Sequence, residues 1–150
     1  MRIWIDADAC PSAIKDIVVR AANRLKVPAV FVANKSLKLA ISPFVSSVRV
    51  PAGLDVADGY IAQNAATGDL AVTADIPLAA ALVARQVTTL DPRGSLYSPE
   101  TIGEVLSLRN FMHELREGGV QTDGPRGFGP RDAQQFASAF DRECARALKR

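Results

Sequence analysis

The sequence predicts an α/β fold, a three-layer sandwich whose mainly parallel central sheet has helices on both faces. Five short runs rich in β-branched and other apolar residues recur along the chain, and stretches with helical periodicity separate most of them. Strands connected in this way form right-handed crossovers and hence a parallel sheet. A chain of 150 residues has the usual length of one domain. We therefore expect a single domain over residues 1–150, with a helical extension at about 98–150.

The first predicted element is a strand over residues 2–6, RIWID, whose apolar run is typical of a strand buried on both faces. Ser12 is placed to cap the helix that follows. Apolar residues recur in that helix at the spacing of one helical face. They are Ile14, Ile17, Val18, Ala21 and Leu25.

The same criteria predict four more strands and two more helices in the first two thirds of the chain. The strands lie at 28–34, 47–51, 70–75 and 87–91, and the helices at 55–66 and 76–85. The common strand order for such a sheet is 3-2-1-4-5, which makes the first and fourth strands neighbours.

Two helices are predicted near the C-terminus, on either side of a loop over 120–131 that is rich in glycine and proline. The first starts at Ser98-Pro99-Glu100 and stops at Gly118. Its apolar face comprises Ile102, Val105, Leu106, Met112 and Leu115. The second starts near Asp132, with Gln135 completing a cap. Its buried face comprises Phe136, Phe140, Cys144 and Leu148.

The composition is that of a globular protein, with 48% hydrophobic and 23% charged residues. No stretch is long and apolar enough for a membrane span, and the N-terminus lacks the pattern of a secretory signal. Cys10 and Cys144 lie far apart and match no disulfide framework, as expected for free thiols. We therefore expect a cytoplasmic protein without a membrane partner. A net charge of +2 gives no electrostatic evidence of nucleic-acid binding.

Several aspartates fall where the predicted strands end. Asp6 ends the first strand, Asp8 follows two residues later, and Asp75 ends the fourth strand. Asp55 and Asp58 are three residues apart at the start of a helix and so share a face. Because ligands bind outside the carboxyl ends of the strands in an open parallel sheet, we expect these carboxylates to meet in one cleft.

Such a cluster needs a bound cation, because like charges a few ångströms apart cost about 1–4 kcal/mol per pair at moderate dielectric. Mg²⁺ suits a site built from carboxylates without histidine or cysteine. The candidate ligands are Asp6, Asp8, Asp55, Asp58 and Asp75. Hydrolysis of phosphate esters is the chemistry that such a site performs.

A purely structural interpretation exists for most of these aspartates. Asp75 precedes Ile76-Pro77 as a helix cap would, and Asp8 could cap the first helix. Asp55 and Asp58 suit a first helical turn, where the helix dipole favours acids. Asp6 differs, because an acid at the end of a buried strand is costly unless something binds it.

Four stretches of the chain together resemble the bacterial YaiI/YqxD family, which is predicted to have a PIN-like nuclease fold. They are IDADACP at 5–11, GLDVADGYI at 53–61, DLAVTADIPLA at 69–79 and a tail at 124–136 that begins with GPRGFGPRD and ends with Phe136. The resemblance covers nearly the whole chain. It implies a PIN-like domain with an acidic site that binds Mg²⁺ or Mn²⁺, and a ribonuclease or related phosphodiesterase activity on RNA.

The resemblance also assigns roles to residues. The implied catalytic acids are Asp6, Asp8, Asp58 and Asp75, and Asp55 is a fifth candidate. Many PIN-type nucleases place a glutamate among these acids, whereas this chain has only aspartates at the matching positions.

Other functions remain open from the sequence. One is a non-catalytic RNA-binding or regulatory module that keeps a vestigial acidic pocket. Another is a phosphatase of the haloacid-dehalogenase type, with Asp6 as nucleophile and Asp8 as general acid. That family expects threonine or valine where Cys10 stands, and a catalytic lysine for which Lys35 and Lys38 are poor candidates. A nucleophilic Cys10 at a helix start is a further hypothesis, and a packed thiol is the favoured one.

The candidate phosphate contacts follow the predicted strands or lie in the glycine-rich loop. They are Lys35, Lys38, Arg93, Arg126 and Arg131. Lys35 is preferred because it follows Asn34 at the end of the second strand. The chain has no Walker loop and no GxGxxG, so no nucleotide cofactor is expected. It also has no row of aromatic residues for stacking single-stranded bases. His113, the one histidine, lacks the neighbours of a metal ligand.

Overall fold

The computed structural model describes residues 1–39, 41–53, 56–119 and 127–149. The strands are β1 (Ile3–Asp6), β2 (Ala29–Ala33), β3 (Val45–Arg49), β4 (Leu70–Val72), β5 (Thr88–Leu90) and β6 (Leu96–Tyr97). The helices are α1 (Ser12–Leu25), α2 (Val56–Asn64), α3 (Ile76–Ala84), α4 (Ile102–Glu117) and α5 (Pro130–Leu148), with a 3-10 helix over Ala7–Ala9. Within these residues, no helix has both the length and the apolar character needed to cross a bilayer.

The six strands form one sheet in the order β3-β2-β1-β4-β5-β6. The pairings among β1 to β5 are all parallel, which confirms the α/β class and the predicted order of those strands. The sequence analysis missed β6, which pairs antiparallel with β5 and sets Tyr97 opposite Thr89. A strand of two residues has no periodicity from which it could be predicted.

Helices cover both faces of the sheet, as the three-layer prediction required. Along β1, Ile3 and Ile5 pack into a core that includes residues of α1 and α5. Trp4 points the other way, into a core shared with α2 and α3. This alternation follows from the two-residue period of a strand.

The same alternation places the first acidic side chain. Ile5 of β1 lies opposite Val72 of β4, so Asp6 and Thr73 come next on their strands as neighbours. By the two-residue period, Asp6 is on the Trp4 side of the sheet, which faces α2 and α3.

Several predicted boundaries were wrong. The fourth strand ends at Val72 rather than at residue 75, because Asp75 is already the N-cap of α3. Pro11, not Ser12, is the N-cap of α1, and no side chain caps that helix. The 55–66 helix is confirmed over 56–64, and residue 55 lies outside the described residues.

The last helix starts earlier than predicted. It begins at Pro130, so Asp132 is not its cap but a first-turn residue whose Oδ2 accepts a hydrogen bond from the Gly129 amide at 2.9 Å. Phe136, Phe140 and Cys144 are buried as predicted, whereas Leu148 is 47% exposed. Of the predicted loop before α5, residues 120–126 lie outside the described residues.

The long helix α4 is less buried than predicted. It packs against α3, and its predicted apolar residues are only partly buried. No residue of α4 is buried, and Leu108 and Phe111 are 62% and 55% exposed. An apolar stripe thus remains at the surface of the outermost layer.

Candidate functional site

Asp6 is a buried acid at the carboxyl end of β1, with 3% of its surface exposed. Burial raises its pKa above the usual value, and the carboxylates of Asp75 and Asp8 raise it further. A hydrogen bond from the Thr73 hydroxyl opposes these effects. Asp6 therefore holds its negative charge at a cost, which is the property expected of a group that binds a cation.

Thr73 joins the two strands that carry the acids, and the sequence analysis missed it. Its Oγ1 donates to Asp6 Oδ2 at 2.8 Å and accepts from the Asp75 amide at 3.0 Å. The side chain is 1% exposed. The available signal was a hydroxyl residue directly after a buried strand, in register with Asp6 on the neighbouring strand.

Asp75 has the structural role that its sequence context suggested. Its Oδ1 accepts a hydrogen bond from the Leu78 amide at 2.8 Å, which caps α3. The same residue lines the cleft that contains Asp6. A cap uses one carboxylate oxygen, so Asp75 can cap the helix and still present the other oxygen to a ligand.

Asp8 lies in the 3-10 helix after β1, where it is exposed at the rim of the cleft. The expectation that it caps the first helix was wrong. Its Oδ2 instead accepts from the Asn34 amide at 2.8 Å and so ties the end of β1 to the end of β2. Because the bond comes from a backbone amide, it fixes the carboxylate whatever residue stands at position 34.

Asp58, in the first turn of α2, completes the group of acids on this cleft. The cleft has a volume of about 210 Å³. It is lined by Asp6, Asp8, Ala9, Asn34, Pro51, Gly53, Ala57, Asp58 and Asp75. The structure thus brings together four of the five predicted acids. Asp55 lies outside the described residues.

The donor atoms suit a hydrated divalent ion better than a closed cage of ligands. Among the described residues, Asp6, Asp8 and Asp75 each use one carboxylate oxygen in the hydrogen bonds above, which leaves the other oxygen for a ligand. In the same part of the chain, no three acidic, histidine or cysteine side chains are already gathered at ligand spacing. Mg²⁺ keeps several waters and needs only one or two direct carboxylates, so the residues fit such an ion.

A second buried aspartate shows what a satisfied carboxylate looks like in this protein. Asp69, at the opposite end of β4, is 8% exposed. It accepts hydrogen bonds from the Arg2 amide, the Trp4 indole and the Ala66 amide at 2.9–3.0 Å. Among the described residues Asp6 accepts one hydrogen bond, from Thr73. Asp69 is therefore a structural residue, whereas Asp6 has bonding capacity left over.

The thiol of Cys10 is not activated. Burial and the nearby Asp6 carboxylate raise its pKa to about 12, so it is protonated at neutral pH. A nucleophilic cysteine needs the opposite shift. The structure therefore supports the packed thiol that the sequence analysis favoured.

The candidate cations have different surroundings. Lys35 is exposed and follows Asn34, which lines the cleft, but Lys35 itself is not a lining residue. Lys38 and Arg131 are also exposed. Arg93 pairs with the buried Asp132 at 3.0 Å, a structural contact. Arg126 lies outside the described residues.

The phosphatase hypothesis gains nothing from this arrangement. A haloacid-dehalogenase site needs a lysine beside its aspartates, and none of the described residues that line the cleft is a lysine.

The fold and the site define a class: α/β proteins with an acidic cleft at the carboxyl edge of a parallel sheet. Within that class, the chain belongs to the uncharacterised YaiI/YqxD family, whose model matches residues 4–146. It is 59% identical over 149 residues to a UPF0178 protein of Myxococcus xanthus, covering 99% of this chain and 97% of the relative. A UPF0178 protein of Geobacter sulfurreducens is 54% identical over the full length of both chains. No solved structure matches the chain.

Proposed function

We propose that this protein hydrolyses phosphodiester bonds in RNA, with Mg²⁺ or Mn²⁺ bound in the acidic cleft. The observation that carries the proposal concerns Asp6, a buried carboxylate that accepts one hydrogen bond among the described residues and has other carboxylates around it. A divalent cation would offset this charge better than any group in the described part of the cleft. RNA is chosen as substrate because the family resemblance implies a PIN-like ribonuclease.

Each acid has a role that follows from its position. Asp6, at the end of β1, and Asp75, at the N-cap of α3, would hold the ion directly or through water. Asp8, in the 3-10 helix after β1, and Asp58, in the first turn of α2, would complete the site or orient the attacking water. Lys35 would contact a substrate phosphate beside Asn34. A bound divalent ion supplies polarisation of the phosphoryl oxygen and a lowered pKa for the water.

The second candidate function is a non-catalytic RNA-binding or regulatory module. The observation that favours it is that three of the acids already have structural hydrogen bonds. In that case the cleft would be a relic of a catalytic site, and RNA would bind without being cleaved.

Asparagine variants separate the charge of each acid from its structural role. Asp6→Asn keeps an oxygen that can accept from Thr73, and Asp75→Asn keeps a good N-cap. Asp16→Asn is the matched control, because Asp16 is an exposed acid on α1, which covers the other face of the sheet. The measurements are thermal melting in EDTA and in Mn²⁺, and cleavage of labelled single-stranded RNA in Mn²⁺.

We expect Mn²⁺ at about 100 times its Kd to stabilise the wild-type protein by about 2.7 kcal/mol. In a chain of this size, that raises the melting temperature by roughly 5–10 °C. Asp6→Asn and Asp75→Asn should lose both this shift and the cleavage, whereas Asp16→Asn should keep both. If the wild-type protein melts at the same temperature in EDTA and in Mn²⁺, the metal site is refuted. Metal binding without cleavage would favour the non-catalytic module.

A further inference from the structure

A groove lies beside the acidic cleft on the outer layer of the molecule, with a volume of about 290 Å³. It is lined by Ile76, Val105, Leu108, Arg109, Met112, His113 and Arg116. All but Ile76 belong to α4, so the groove runs along that helix. It has apolar residues in its lining and basic ones among them.

Two consecutive residues belong one to the lining of the cleft and the other to the lining of the groove. Asp75 lines the cleft, and the next residue, Ile76, lines the groove as the first residue of α3. Consecutive Cα atoms are about 3.8 Å apart. A chain-like ligand that occupies the cleft can therefore continue over Ile76 into the groove.

The two depressions differ in charge, and the basic residues are in the groove. Four of the described residues that line the cleft are acidic and none is basic, so the cleft itself repels phosphates. The groove lining includes Arg109 and Arg116 and has no acid among its described residues. His113, which is also in this lining, pairs with Glu117 at 3.0 Å.

The apolar part of the groove suits exposed bases. Leu108 is 62% exposed, and the neighbouring Phe111 is 55% exposed. Single-stranded nucleic acid binds where cations follow its backbone and apolar or aromatic side chains take the faces of its bases. A duplex keeps its base faces stacked and would leave these side chains unused.

We propose that the groove along α4 binds single-stranded RNA that extends from the acidic cleft over Ile76. Arg109 contacts a backbone phosphate, and Leu108 and Met112 contact base faces. The choice of RNA as the occupant rests on the proposed function. The position and chemistry of the groove are independent of it.

Binding can be measured apart from cleavage. The probe is a fluorescein-labelled oligouridylate, whose fluorescence anisotropy is followed over a salt series in EDTA and again in Ca²⁺. The test variants are Arg109→Gln and Leu108→Ala. Arg20→Gln is the matched control, because Arg20 is exposed on α1 and its side chain bonds only to the backbone of its own helix.

We expect Arg109→Gln to weaken binding roughly tenfold. The slope of log K against log salt should become shallower by about 0.7, the value for one phosphate contact on a single strand. Leu108→Ala should weaken binding without changing the slope, and Arg20→Gln should bind as the wild type does. Equal affinities for Arg109→Gln and Arg20→Gln in both buffers, or a wild type that binds no oligouridylate, would overturn the proposal.

The same variants separate this inference from the proposed hydrolysis. Arg109-dependent binding by a wild type that cleaves no RNA would support the groove and reject the hydrolysis. If Arg109→Gln and Leu108→Ala change neither RNA cleavage nor RNA affinity, the result would support the hydrolysis and reject the groove. If Leu108→Glu converts a dimer into a monomer without altering RNA affinity, the groove is an interface between two copies of this chain and the proposal is wrong.

Discussion

The carboxylate of Asp6 and the amide of Asp75 are joined by one hydroxyl group, that of Thr73. The hydroxyl uses its proton on the acid and a lone pair on the amide, so its orientation is fixed. This sets the position of Asp6 relative to the start of α3. The geometry of the cleft thus depends on a residue that is not itself one of its acids.

Thr73→Val tests this link with a side chain of nearly the same shape. The change leaves the Asp6 carboxylate and the Asp75 amide without their partner, so we expect a loss of about 1–3 kcal/mol in the free energy of unfolding. Urea denaturation measures it. Thr89→Val is the control, a buried threonine on β5 whose hydroxyl bonds to the Val87 carbonyl. If only Thr73→Val also weakens Mn²⁺ binding, Thr73 positions the site.

The raised pKa of Asp6 predicts how stability depends on pH. The folded state holds the Asp6 proton more tightly than the unfolded state, where the pKa is near 3.8. As the pH rises above that value, the unfolded chain loses this proton first, so this residue's contribution to stability falls until the folded state ionises too. In EDTA, we therefore expect Asp6→Asn to be more stable than the wild type at neutral pH.

Denaturation of both proteins from pH 3 to pH 7 checks this, and Asp16→Asn controls for a simple loss of charge. The advantage of Asp6→Asn should grow as the pH rises above about 4 and then level off. An advantage that shrinks with rising pH would contradict the assigned shift.

The acids of the cleft could be predicted from sequence, but their connections could not. The predicted strand ends located Asp6 and Asp75 because the carboxyl ends of parallel strands share an edge. Thr73 was missed because threonine is ordinary in a strand, and its role depends on the register with β1. The partner of Asp8 was missed because the amide of Asn34 is distant in sequence.

At the scale of elements, the turn after β5 is held by the start of α5. Arg93 lies 3.0 Å from the Asp132 carboxylate, which is fully buried, and over the ring of Phe128 at 5.7 Å. Asp91 shapes the turn by accepting from the amides of Arg93 and Ser95. Arg93, one of the candidate phosphate contacts, thus has a structural role in which it contacts Phe128 and Asp132 of the GPRGFGPRD stretch.

Gly94→Ala should disrupt this contact. Gly94 has φ of +95°, and an added Cβ would lie 2.7 Å from the carbonyl oxygen of Gln135. Backbone strain and the clash together should lower the free energy of unfolding by more than about 2 kcal/mol. Gly68→Ala is the control, because Gly68 has φ of +92° with open space around it. Equal losses in urea denaturation would mean that the clash with α5 is absent.

Elements were predictable where burial repeats along the chain. The parallel strands combine apolar runs with long connections, and their order followed from topology. The extent to which α4 is buried was not predictable. An apolar face on a helix shows which residues the helix can bury, but it does not show whether another element covers them. The cap of α5 was misplaced because glycine and proline at its start have no side-chain acceptor to signal the boundary.

At the scale of the whole molecule, the reactivity of the two cysteines shows how far the folded protein must open to expose each thiol. Burial raises the pKa of both thiols to about 12. Cys144 is fully buried in the core between α5 and the sheet, whereas Cys10 is partly buried. We expect iodoacetamide to modify Cys144 slowly in the native protein and rapidly in urea, as followed by mass spectrometry. Fast native labelling of Cys144, at the rate of a free thiol in a peptide, would show that this core opens readily.

The position of α5 has a consequence for how the protein is made. Ile3 and Ile5 leave the ribosome long before Phe136 and Phe140, yet these four residues pack into the same core. One face of the sheet thus stays uncovered until α5 has left the ribosome, and exposed apolar surface of that kind invites aggregation. We therefore expect folding to be completed only when α5 packs onto the sheet.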